Sequence, residues 1–543
     1  MIHLTIDGIP VQVEPGTSVL EAAKKNKIDV PHYCYHQGLT IAGNCRICLV
    51  EIEKIPKLQI SCATIATEGM VVSTQSPKVK EARQGVMEFI LVNHPIDCPI
   101  CDCAGECRLQ DYYMQHNLKD SRVELAQKIH KKKVVDIGTH VMLDSERCIL
   151  CSRCVRFCEE VPKTGELGIF NRGSWSELSL QDEVRLENDY SGNVVDICPV
   201  GALTDKDFRF RSRVWFLNET PSVCPGCSRG CNIYLQHNES KINKVGEERV
   251  YRIKPRFNQE VNKWWICDEG RYGYSMIDKN RVTQATVLEN NSRTPITREQ
   301  TIERLVVLCS SIKANAGQER VGVISSPHLT NEDLFVIKKL FQEGLGISKI
   351  HYGDALLQTG KADSLLMQAD KSPNRAGARA VADGTSLGAQ QILEEAELGK
   401  LETLIIINSQ LDLYFDRSFL EKAFSRVPQK IALMSHHSEL YERTCTLIVP
   451  TAVYAEKDGT FTNFEGRVQR LYPALPPWGQ SLPETQWCAL LAEALGLRWS
   501  FKSSAEIFEA ASHTIKLFSG ITYSQLGSLE KPLSPEVVHK GAV

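Results

Sequence analysis

Most of the chain's 20 cysteines fall, together with one histidine, into four groups in the first half of the sequence. Cys34, Cys45, Cys48 and Cys62 form a C-x10-C-x2-C-x13-C series. His94 precedes Cys98, Cys101, Cys103 and Cys107. Cys148, Cys151, Cys154 and Cys158 run as C-x2-C-x2-C-x3-C, with Cys198 downstream in Asp196-Ile197-Cys198-Pro199-Val200-Gly201-Ala202. Cys224, Cys227, Cys231 and Cys267 follow as C-x2-C-x3-C-x35-C. Thiolates delivered in fours from short loops suit iron–sulfur clusters, which store single electrons. Zinc takes the same ligands tetrahedrally, so ligand type alone leaves a structural zinc protein as the alternative chemistry.

The groups differ in detail. Four thiolates from a loop and a following strand fit a 2Fe-2S cluster in the first. In the second, an imidazole in place of a thiolate lowers the cluster's negative charge and favours its reduced form. A histidine before proline is ordinarily structural, but His94 stands four residues ahead of a cysteine triplet and reads as a ligand. Spacing leaves Cys103 and Cys107 both open as the last ligand. In two-cluster ferredoxins the fourth cysteine of the third group's run serves the other cluster, and no second run supplies one here. Cys198, followed by Pro199, therefore reads as the remote ligand of a single 4Fe-4S centre, and Cys158 as a buried thiol. Arg147, Arg153 and Arg156 lie beside this third group in sequence and are expected to offset its thiolate charge.

Several domains must position these residues, because 543 residues exceed a single core. Leu4 and Ile6, the turn Asp7-Gly8, then Ile9, Val11 and Val13 predict a β-hairpin. Ser18 and Glu21 read as the capping box of a helix with Val19, Leu20, Ala22 and Ala23 on its apolar face. Residues 47–52 read as a strand. Val79, Ala82, Val86, Phe89 and Ile90 predict a helix over 78–93, ended by His94-Pro95. After about residue 275, apolar strands at 321–324, 404–407, 431–434 and 447–449, with a helix over 331–341, predict a parallel α/β sheet. Residues 369–390, small and polar, read as a long loop, and Cys309 as a core thiol on a helix.

Composition excludes little else. Lys+Arg of 63 against Asp+Glu of 66 leaves a net charge of −3, which argues for neither nucleic acid nor an anionic membrane as partner. The first residues lack a secretory or transit profile, so the cysteines are expected to be ligands and reduced thiols rather than disulfides. No apolar run reaches the roughly 20 residues that span a bilayer, so membrane association is expected only through partner subunits. No G-x-G-x-x-G or G-K-[ST] loop follows a predicted strand, which leaves no sequence warrant for a nucleotide site.

Taken together, residues 34–62, 94–107, 147–157, 198–202 and 224–267 resemble the large iron–sulfur subunits of bacterial NADH-quinone oxidoreductase, respiratory complex I. The resemblance is strong to about residue 280 and weaker to about 500, where Ala455-Glu456-Lys457-Asp458-Gly459-Thr460-Phe461-Thr462-Asn463-Phe464-Glu465-Gly466-Arg467-Val468-Gln469 is similar to a molybdopterin-oxidoreductase signature. It implies an α+β and α/β multidomain chain. Its parts would be a 2Fe-2S ferredoxin-like β-grasp over 1–77, a helical 4Fe-4S module with one histidine and three cysteine ligands over 78–140, and a 4Fe-4S ferredoxin-like module over 141–216. A molybdopterin-oxidoreductase-type 4Fe-4S module over 217–275, a truncated α/β domain over 276–500 and a tail over 501–543 would follow.

The resemblance also selects Cys107 over Cys103, giving one 2Fe-2S and three 4Fe-4S clusters. Electrons from a flavin (FMN) NADH-binding subunit would pass from the first group to the third, then to the second, and on to a two-cluster 4Fe-4S ferredoxin-like subunit. The fourth cluster would lie off this route. A small 2Fe-2S subunit and the rest of the peripheral arm would be further partners, on the cytoplasmic side of the bacterial inner membrane. The C-terminal region is short for a molybdenum enzyme, so no molybdopterin is expected. A molybdenum formate dehydrogenase and an NAD-linked hydrogenase share similar N-terminal modules and are the rival assignments.

Overall fold

The computed structural model describes residues 1–116, 121–181, 184–239, 248–314, 317–497 and 501–527. They divide into two compact units, Met1–Leu217 and Asn218–Val543.

The first unit begins with the hairpin Ile2–Ile6 and Ile9–Val13. Asp7 (φ 49°) and Gly8 (φ 80°) turn it in the left-handed region that tight hairpins require. A five-stranded sheet is ordered Ile9–Val13, Ile2–Ile6, Met70–Ser73, Leu49–Ile52, Gln59–Ile60, with Ile2–Ile6 and Met70–Ser73 parallel. The helix Val19–Lys25 starts at Ser18, whose side chain accepts the Glu21 N–H at 3.2 Å. Its Val19, Leu20, Ala22 and Ala23 join Leu4, Ile6, Val11 and Val50 in a core that also contains Cys48 and Cys62. This is the expected β-grasp.

The helix predicted over 78–93 spans Pro77–Leu91, capped by Ser76. Helices Arg108–His116, Arg153–Glu160 and Asn193–Ile197 follow, with a small sheet of Leu203–Asp205, Val141–Leu143 and Val135–Asp136.

The second unit opens with an antiparallel meander, Asn218–Val223, Asn232–His237 and Val250–Pro255. Its seven-stranded sheet is ordered Ser292–Ile296, Ala285–Glu289, Leu447–Pro450, Gln429–Met434, Thr403–Ile407, Val321–Ile324, Ile350–His351. The last five are mutually parallel, in the doubly wound order in which a crevice opens at the carboxyl ends of the strands where the chain reverses direction across the sheet. Burial on both faces explains why Val321–Ile324 and Thr403–Ile407 are apolar without alternation.

Two segments depart from expectation. Part of the stretch read as a loop, 369–390, is the helix Arg375–Ala382, which buries Ala378, Val381 and Ala382 and stops at the left-handed Asp383 and Gly384. Its alanines are strong helix formers, and their small size hid the apolar face. Within the stretch read as a tail, helix Ser504–Thr514 packs Ile507, Phe508 and Ala511 into the sheet's core.

Candidate cluster-binding site

The first group gathers where the β-grasp meets its loops. Cys34, Cys48 and Cys62 are almost fully buried. The thiols come as two hydrogen-bonded pairs, Cys34 with Cys45 and Cys48 with Cys62. Two pairs match a two-iron rhomb, in which each iron takes two thiolates. The Cys45 side chain and the Cys45 and Asn44 backbone N–H groups hold the Cys34 thiol below its ordinary range.

In the third group, Cys148, Cys151, Cys154 and Cys198 line one cavity of about 20 Å³ with Ile169, Leu178 and Val200. Cys158 does not line it; its thiol hydrogen-bonds to Glu166. Burial pushes Cys148 up to about 12 and Cys198 up to about 11. By themselves these thiols resist ionisation; a bound metal cation supplies the charge that makes them thiolates.

In the second group, His94 Nδ1 is buried and has no hydrogen-bond partner among the described residues. Burial lowers its pKa to about 4, so the ring is neutral and can donate a lone pair. Lys128 Nζ fixes the loop by donating to His94 O at 2.6 Å. Cys103 and Cys107 hydrogen-bond to each other. The Leu109 and Gln110 backbone N–H groups face the Cys107 sulfur, and a Cβ at Gly201 would overlap the Cys101 sulfur.

In the second unit, burial pushes the Cys224 and Cys231 thiols up, and the nearby Cys227 and Cys267 sulfurs add to that effect. Gly226 N–H and Gly270 N–H donate to the Cys224 and Cys267 sulfurs, each at 3.4 Å. A Cβ at Gly270 would lie 2.9 Å from the Cys224 sulfur.

Each group's loop also carries left-handed backbone: Arg46 (φ 60°), Ile96 (φ 50°), Leu150 (φ 54°), Ser152 (φ 59°) and Gly230 (φ 64°). Such turns aim successive N–H groups at a bound anion, and for a β-branched residue such as Ile96 the conformation is strained. Among the described residues no three His, Cys, Asp or Glu side chains are grouped as a single metal ion would need. Of the four candidate groups, the third has all four of its cysteines lining one cavity.

Three groups meet in the first unit. One hydrophobic cluster holds Cys34, Cys107 and Cys151 among Tyr33, Met87, Leu109 and Tyr112, with Cys45, Cys148 and Cys198 packed against it. Cys45, His94 and Cys148, one from each group, also line a common cavity of about 520 Å³.

The arginines distribute differently from expectation. Arg147 sits at the second group, beside the Cys101 sulfur. It is paired with Asp97 (2.7 Å) and Asp144 (3.4 Å). Arg153 and Arg156 reach the third group and also the first, through Tyr35 O, Cys34 O and Thr40 O. Sequence spacing misplaced Arg147 because the chain folds residues 97 and 101 back onto it. The Gly201 contact was missed too, although a glycine three residues after Cys198 is a sign of close approach.

In the second unit a cavity of about 260 Å³ at the carboxyl ends of the parallel strands is lined by Ser326, His328, Asn408, Ser435 and Lys457, with Pro225 beside Cys224.

Four family models match: a 2Fe-2S iron-sulfur cluster binding domain over 1–77, an NADH-ubiquinone oxidoreductase-G iron-sulfur binding region over 83–122, an NADH-quinone oxidoreductase subunit 3 ferredoxin-like domain over 138–204, and a molybdopterin oxidoreductase Fe4S4 domain over 217–279. The NADH-quinone oxidoreductase G subunit of Streptomyces coelicolor is 33% identical over 521 residues, 95% of this chain and 57% of the relative. The G subunit of Rickettsia bellii is 38% identical over 63% of this chain and 48% of its own length. The NADH-ubiquinone oxidoreductase 75 kDa subunit of Reclinomonas americana is 38% identical over 68% of this chain and 52% of its own. The chain thus spans about half the length of the curated relatives it matches. Among solved structures, an NAD+-reducing [NiFe]-hydrogenase chain aligns at 30% identity and a TM-score of 0.34, over 39% of this chain and 91% of that one. Cluster-binding domains in this order, with G-subunit relatives matching 95% and 63% of the chain, place it: the chain belongs to the family of NADH-quinone oxidoreductase G subunits.

Proposed function

We propose that the chain is an electron-conducting iron–sulfur subunit of an NADH-quinone oxidoreductase, carrying electrons from the NADH/FMN side toward the quinone-reducing side. The observation that carries this reading is the convergence of three ligand groups on one apolar cluster and one cavity. Clusters bound there would supply one-electron storage. The protein's own contribution is to hold the ligands close, exclude water with Tyr33, Met87 and Tyr112, and direct backbone N–H groups at sulfur.

The ligand sets in this reading are Cys34, Cys45, Cys48 and Cys62 for a 2Fe-2S cluster, and three 4Fe-4S sets. Those sets are His94, Cys98, Cys101 and Cys107; Cys148, Cys151, Cys154 and Cys198; and Cys224, Cys227, Cys231 and Cys267. Their modules keep the divisions at 77, 140, 216 and 275, and the rest of the second unit serves as scaffold. Among the described residues no helix is long and apolar enough to cross a membrane. The reading therefore places the chain peripherally, on the cytoplasmic side, held by a flavin subunit and a two-cluster ferredoxin-like subunit.

Purifying the native complex tests this. A flavin subunit and membrane subunits should co-migrate with the chain; stoichiometric molybdenum or tungsten on the isolated chain would overturn the reading. For the third set, Cys198→Ser should abolish one 4Fe-4S signal, whereas Cys158→Ser should leave all signals in place.

A further inference from the structure

Helix Arg153–Glu160 presents two guanidinium groups one turn apart, and each spans from the first ligand group to the third. Arg153 donates to Ile197 O at 3.0 Å and to Tyr35 O at 2.5 Å. Ile197 immediately precedes Cys198, and Tyr35 immediately follows Cys34. Arg156 donates to Cys34 O at 2.5 Å and, at the outer limit of 3.5 Å, to Cys151 O. Its other nitrogens engage Thr40 O and Ser152 Oγ.

Both arginines are buried, 5% and 9% exposed. Among the described residues neither is paired with a carboxylate; all their side-chain hydrogen bonds go to carbonyls and one hydroxyl. A buried cation without a counter-ion is strongly unfavourable. Arg153 feels the sulfurs of Cys151, Cys198 and Cys34, which belong to two different groups, and the repelling guanidinium of Arg108, so the groups that can balance its charge are those sulfurs once they are ionised. Arg147, upstream in sequence, has Asp97 and Asp144 and needs no such partner.

We propose that Arg153 and Arg156 are positioning residues for electron exchange between the first and third centres, acting as a shared counter-charge for both and as the hydrogen-bonded bridge that fixes their separation. This deepens the electron-conducting reading and rests on it. The step is one electron: the first-group centre is oxidised by one, the third-group centre is reduced by one, no bond is made or broken, and the guanidinium groups keep their protons. Each centre gains negative charge on reduction, so a cation fixed between them favours the reduced form of both. Two carbonyls, one from each ligand loop, on one rigid planar fork also hold the loops in register, which a single ammonium on a flexible stem does not reproduce.

The test uses the full chain carrying its clusters, studied by EPR-monitored redox titration and rapid-freeze EPR. Arg156→Gln should shift the midpoints of both the 2Fe-2S centre and the third-group centre to lower potential. The expected size is about tenfold in each reduction equilibrium, about 59 mV for one electron. Arg156→Lys should restore both midpoints yet leave electron arrival at the third centre at least several-fold slower than in the unaltered chain. A shift confined to one centre, or none, overturns the shared counter-charge. Unchanged transfer in Arg156→Lys overturns the bridge, and that arm decides if Arg156→Gln fails to assemble. Absence of cluster signals from the unaltered chain would instead refute the electron-conducting reading itself.

Discussion

Two regions of the molecule, one in each unit, bury their cations in opposite ways. In the second unit Lys457, 4% exposed, is held between Asp333 and Glu484, and Arg281 and Arg249 share Glu456, so these three cations meet protein carboxylates. In the first unit Arg153 and Arg156 meet carbonyls and face cysteine sulfur. A network closed on itself needs nothing further and suits a scaffold. Cations left open toward thiols are incomplete until something negative sits between those thiols, and thiolate-ligated iron–sulfur clusters are negative. The contrast separates a region that awaits a prosthetic group from a charge network that is complete without one.

The largest effect should come from breaking the closed network. Lys457→Met leaves Asp333 and Glu484 buried without their cation and should cost about 3–5 kcal/mol, read as a lower denaturant midpoint. An unchanged midpoint would mean that the second unit's charges are not mutually dependent. Gly201→Ala puts a methyl against the Cys101 sulfur and should cost about 1–3 kcal/mol of overpacking. Metal analysis should find one 4Fe-4S cluster's iron lost, with the other signals retained.

Arg147→Gln sharpens the contrast within the first unit. Arg147 is neutralised by Asp97 and Asp144, so its removal should move only the His94 centre, with the first and third midpoints unchanged. A pH dependence is expected at Glu332, which accepts from Thr460 outside the cation network. Burial raises Glu332 from 4.5 to about 8, so the folded protein binds more protons than the unfolded chain between those values. Stability therefore falls as pH rises from about 4.5 to about 8. Glu332→Gln should flatten that fall, raising Tm at pH 8 by a few degrees relative to the parent while leaving pH 5 nearly unchanged.

The cluster-binding domains were legible in the sequence because three or four cysteines of each candidate group lie close together in the chain, where spacing is geometry. The hairpin at Asp7-Gly8 and the parallel strands were readable for the same local reason, through alternation and unbroken apolar runs. What escaped depends on distance along the chain. Arg153 meets Tyr35 across 118 residues and Arg156 meets Cys34 across 122, so sequence proximity assigned both to the third group alone. Arg147 was assigned to the wrong group because Asp97, its partner, lies 50 residues away. Helix Arg375–Ala382 escaped because its buried face is made of glycine, alanine and a single valine, too small to stand out as a stripe.

The most direct test of the account is metal and sulfide content of the purified chain, with EPR before and after dithionite. The account predicts a brown protein with about fourteen irons per chain, two from the first group and four from each of the others, and distinct 2Fe-2S and 4Fe-4S signals on reduction. A colourless chain holding zinc at the four groups and silent on reduction would contradict it.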